Sequence, residues 1–136
     1  MNEGVNEMTT FDFGNGLFHA HQHSNGGGWV ADTATVSETA YVGPNAVVSG
    51  YAVVTGDAEV SGNAKVYENA RVTDNAMVSG DAVVSGYAVV SGYAVVSGYA
   101  VVSDNARVSG NAKVYGNAWV SGYAVVSDYA VVTGNE

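Results

Sequence analysis

From Val30 to Val132 a valine recurs at every sixth position without a miss, and from Ala34 to Ala130 an alanine stands two residues before each. The first valine has Gly28 in that place. Eighteen hexads run in register with no insertion and no deletion. Each reads small, variable, Val, Ser/Thr, turn, turn, as in Ala52-Val53-Val54-Thr55-Gly56-Asp57. Alternate side chains of an extended segment point to opposite faces, so Ala52 and Val54 share one side and Val53 takes the other. Repeated along the chain, this predicts short strands whose Ala–Val pairs line one core while the variable residue faces outward. A strict short period of small and β-branched residues builds a stacked solenoid, in which each repeat buries its apolar side against the next.

The two turn positions carry the bends. The first is usually Gly and the second often Asn, Asp or Tyr. Gly and Asn both tolerate positive φ. At Pro44-Asn45 the proline fixes φ near −65°, which predicts a left-handed Asn45, as in a type II turn. Where an acid replaces Gly, Asn follows at Glu68-Asn69, Asp74-Asn75 and Asp104-Asn105, and the same role is expected of it there. Asp32-Thr33, Glu38-Thr39 and Asp128-Tyr129 fit this rule poorly.

Residues 1–27 lack the period and hold all three histidines and all three phenylalanines. The expected division is a tail and small cap over 1–27 and a repeat domain over 28–136. Met1 to Thr10 reads as a mobile tail. Phe11, Phe13, Leu17 and Phe18, around Gly14 and Gly16, read as an apolar plug, since a solenoid needs its end covered.

Val-Ser-Gly-Asn-Ala-Lys at 108–113 and its neighbours resemble the bacterial hexapeptide-repeat superfamily, over about three quarters of the chain. The resemblance implies an all-β fold: a left-handed parallel β-helix, triangular in section, with three hexads per coil and so about six coils. At about 4.8 Å per coil the column would stand roughly 29 Å tall. Residues eighteen apart then stack. One outward column is Trp29, Val47, Lys65, Val83, Val101, Trp119; a second is Thr35, Val53, Arg71, Val89, Arg107, Val125; a third is Tyr41, Glu59, Met77, Val95, Lys113, Val131. The first is the most apolar, and flat exposed apolar strips mark contact surfaces. Its Trp29, Val47, Val83, Val101 and Trp119 form the expected interaction face.

Composition narrows the classes. Thirteen acidic against four basic residues give a net charge of −9, which repels nucleic-acid phosphates and anionic lipid. The basic residues come in couples one hexad apart, Lys65 with Arg71 and Arg107 with Lys113, where they break up aggregation-prone strand faces. Without cysteine there is no disulfide, thiolate nucleophile or Cys-based zinc site. The first ten residues lack the basic and apolar parts of a secretory signal, and no apolar run is long enough to span a membrane. A cytoplasmic or virion-associated location is expected.

Many members of the resembled superfamily are trimeric acyltransferases with intersubunit sites served by a histidine on the helix or on a protruding loop. The γ-class carbonic anhydrases hold metal through coil histidines. Here no histidine follows His23 and no loop interrupts the hexads, so no catalytic residue is carried over. His19, His21 and His23 are the one strong constellation. Alternating in an extended segment, they face one way and form a candidate transition-metal site, completed by three chains on an axis. The preferred reading is a solvated polar strand beside Trp29, and no other cofactor is expected. Tyr51, Tyr87 and Tyr123 share one corner, alternating with Asn69 and Asn105. The plain reading is stacking over the backbone; the sharper one is a platform for sugars or protein.

The sequence therefore predicts a non-catalytic structural or protein-interaction solenoid, a self-associating phage virion or cell-surface component, with a homotrimer favoured. The alternatives are a hexapeptide-type acyltransferase with an intersubunit site and a carbohydrate-binding prism.

Overall fold

Each hexad contributes one strand, made of its variable residue and its valine. The computed structural model describes residues 10–13 and 17–133. Strand β1 is Thr10–Asp12, β2 is Leu17–Gln22 and β3 is Trp29–Ala31. From β4 (Thr35–Val36) to β20 (Val131–Val132) every strand is two residues long. The fold is all-β: a solenoid of about six turns whose strands form three sheets, of eight, six and six strands among the described residues. Every third strand pairs in parallel, in register by eighteen residues: Trp29 with Val47, Lys65 with Val83, Arg71 with Val89, Met77 with Val95. The three outward columns expected from the sequence are the columns observed.

The inward residues make one continuous core. The inward alanines and valines of the repeat from Ala40 to Ala118 are all fully buried. Each valine so buried contributes about 1.5 kcal/mol or more.

Hydrogen bonds run along the axis from coil to coil. Val89 N donates to Ala106 O (3.0 Å), Ser91 N to Val108 O (2.9 Å) and Tyr87 N to Asp104 O (2.7 Å). Ala88 N donates to Ser85 O (3.2 Å) and closes the corner within the coil.

The corners differ from expectation in one respect. Positive φ falls on the first turn residue, never on the asparagine after it. Glycines such as Gly50 and Gly98 take it (φ 65° and 66°), and so do Glu68 (62°), Asp74 (60°), Asp104 (60°) and Asp128 (59°). Asn45, Asn69, Asn75 and Asn105 do not. The cause is the axial ladder. The second turn residue must aim its N–H at the next coil, so the reversal is imposed on the first, whatever its side chain. Positive φ first and negative φ second is the sign pattern of a type II′ turn. Three of these four acids are compensated: Glu68 Oε1 accepts from Gly86 N (2.7 Å), Asp74 Oδ2 from Gly92 N (3.1 Å) and Asp104 Oδ2 from Gly122 N (3.0 Å). Each reaches a glycine one coil on. In the first coil the corners at Asp32, Glu38 and Pro44 all keep negative φ. There the hydroxyls of Thr33 and Thr39 donate to Gly50 O and Gly56 O, the bond that a backbone N–H makes in later coils.

Before the first coil, two antiparallel strands extend the first sheet. β2 pairs with β3 (Ala20 opposite Ala31, His21 opposite Val30), and β1 pairs with β2 (Thr10 opposite His19). Thr10 is thus a strand residue, while the rest of the expected mobile tail lies outside the described residues. Gly14 and Gly16 lie outside them too. The phenylalanines do not form the expected plug over the core. Phe11 stacks on Trp29 (4.8 Å between centroids, 16° between planes) and meets Phe13 edge-on at 4.9 Å. The cluster sits on the outward side of the first sheet, and Leu17 and Phe18 are exposed. In the last coil Ala124 and Ala130 are exposed and Val132 is half-buried.

Candidate functional site

The first outward column is the most apolar of the three, and its two tryptophans are in different states. Trp29 is half-buried under Phe11. Trp119 is 72% exposed, in register beside Val101, with Val83 next along the column. Val47 and Lys65 stand between this exposed end and Trp29. The five residues read from the sequence as an interaction face are on one sheet, as the period requires. What the sequence did not reveal is that the chain itself covers one end of it.

The histidines alternate along β2 and just beyond it, but they do not converge. His19 is exposed. His21 Nδ1 lies 2.8 Å from Asp32 Oδ1, an exposed ion pair when the ring is protonated. His23 is buried, with Nε2 donating to Ala40 O at 2.8 Å. That bond has a structural use. Ala40 O would accept from a preceding coil if there were one, and the His23 ring supplies the donor instead. Gly28 N donates to Val42 O (2.9 Å) beside it, and Asn25 O accepts from Val42 N (3.1 Å). Residues 23–28 thereby satisfy the outer edge of the Tyr41–Val42 strand. Among the described residues no group of three His, Cys, Asp or Glu side chains could hold a metal ion.

The tyrosine corner is a surface with relief. Tyr51, Tyr87 and Tyr123 are 68%, 64% and 84% exposed. Beside them runs the second column, with Val53, Val89 and Val125 level with the tyrosines and Arg71 and Arg107 level with Asn69 and Asn105. Two shallow troughs of about 380 and 340 Å³ lie along this corner, sharing Tyr87, Val89, Asn105 and Arg107, so that one runs into the other. A smaller hollow between Phe18 and Tyr51 continues the line toward β2. Neither arginine has an ion pair or side-chain hydrogen bond among the described residues.

A family model described as YdcK beta solenoid repeat matches residues 70–86, 76–92 and 112–128. Over those segments the chain is similar to a repeat β-solenoid. They fall in the third to sixth coils. No curated protein and no solved structure matches the chain. Among the described residues no helix is long and apolar enough to cross a membrane.

Proposed function

We propose that the chain is a non-catalytic structural module that associates with copies of itself through the first face, at Val83, Val101 and Trp119. The observation that carries this reading is Trp119. A tryptophan 72% exposed on a flat sheet, flanked in register by valine, is an apolar patch of the kind that marks protein contacts. Its counterpart Trp29 has Phe11 stacked on it, so the chain covers one such patch and leaves the other open.

A stiff spacer suits this role. Coils in unbroken register, with no inserted loop and no histidine on the walls, favour length and rigidity over a unique pocket. A left-handed winding, membership of the hexapeptide-repeat superfamily, a trimer about the first face and a place in a virion or on a cell surface all belong to this proposal. Sedimentation analysis of the intact chain and of Trp119→Ser tests it. The wild type is expected to sediment as a trimer and the variant as a monomer with an unchanged circular dichroism spectrum. A wild type that stays monomeric at all concentrations would refute the reading.

A further inference from the structure

We infer that the tyrosine corner is a binding groove for an extended acidic polysaccharide carrying one carboxylate per disaccharide. The groove lies on the second face, so this inference stands apart from self-association through the first.

Periodicity is the first argument. Tyr51, Tyr87 and Tyr123 repeat every two coils, roughly every 9.6 Å, and Arg71 and Arg107 repeat with the same interval halfway between them. An extended pyranose chain advances by roughly one coil spacing per sugar. A disaccharide repeat therefore keeps step with a two-coil repeat, placing one ring against each tyrosine and the next beside each arginine. Tyrosine offers a flat apolar face to sugar C–H groups and a hydroxyl to their oxygens. Asn69 and Asn105 add donors and acceptors at the arginine level.

Charge is the second. Arg71 and Arg107 are exposed guanidiniums without a carboxylate partner, in a chain with thirteen acidic residues. Glu68 and Asp104 stand at the same corner, yet each is turned along the axis onto a backbone N–H, of Gly86 and Gly122. Guanidinium matches carboxylate in a bidentate pair. Two isolated guanidiniums on a body of net charge −9 suit sparse carboxylates and disfavour densely sulfated chains.

Titration calorimetry with hyaluronan hexasaccharide is the test, with cellohexaose as the neutral probe and a heparin hexasaccharide as the dense one. The full chain should bind hyaluronan saturably, at least tenfold tighter than either control. Arg71→Ala and Arg107→Ala should each weaken binding about tenfold, with Arg71→Gln and Arg107→Gln as less intrusive variants and melting curves to confirm folding. Tyr87→Ser should weaken it as well. Absence of saturable binding, equal binding by the double arginine variant, or tighter binding of heparin would overturn the inference. So would a double arginine variant that loses self-association instead, which would give the groove to a protein partner.

Discussion

A corner residue in this chain is constrained by the coil that follows it. Gly98 shows how tightly: a Cβ there would lie 2.9 Å from the backbone nitrogen of Gly116 and 3.1 Å from its oxygen, at φ 66°. Gly122 has nearly the same φ, 65°, but no atom within 4 Å of such a Cβ. The pair separates two effects that usually come together. Gly122→Ala meets only the left-handed penalty, about 1 kcal/mol. Gly98→Ala adds a backbone clash that the ladder resists, and the expected loss is about 2–3 kcal/mol. Equal losses in urea unfolding would mean that the stacked corners yield freely. The acids at Glu68, Asp74 and Asp104 illustrate what sequence reading missed at this scale. Their left-handed backbone was assigned to the following asparagine because Asn is the better-known αL residue. The available clue was that each of the three stands eighteen positions before a glycine, whose N–H it binds.

A two-residue strand is too short to hold by itself, and its stability comes from the valine it inserts and from its neighbours above and below. Val90, in the middle of the column, is fully buried, whereas Val132 in the last strand is only half-buried. Val90→Ala should destabilise by about 2 kcal/mol and Val132→Ala by less than about 1 kcal/mol. Similar values for both in chemical denaturation would contradict the core described above. The elements of the repeat were legible because one period fixes strand, face and column together. Lys65 could be placed beside Val83 by counting alone. The elements before the repeat were not. Residues 10–27 have no period to count, and the antiparallel pairing of these strands depends on contacts such as Phe11 with Trp29 and Ala20 opposite Ala31. The tyrosine and arginine columns were each legible, but the continuous trough between them needed the shape of the surface.

The whole molecule behaves as a stack of near-equivalent layers, each touching only the next. Residues 85–102 are three copies of Ser-Gly-Tyr-Ala-Val-Val, one full coil in length. Removing all eighteen should leave every later residue on its own face and yield a shorter folded column. Its far-ultraviolet spectrum per residue should be unchanged and its melting temperature modestly lower, because stability in such stacks is close to a sum over layers. Removing only residues 85–89 breaks the six-residue beat, moves each later core valine off its inward place and turns residues such as Tyr93 inward, and that variant should not fold cooperatively past Val84. A five-residue deletion as stable as the eighteen-residue one, by thermal melting, would contradict the layered description.

The pair of antiparallel strands ahead of the first coil gives the molecule a polarity. A strand running against the others cannot serve as the template on which a second column winds on in the same direction. Head-to-tail growth requires two complementary ends, and without them an open filament cannot propagate. At this edge of the first sheet, a column built of strands that would otherwise invite fibres offers an antiparallel border instead of a parallel template.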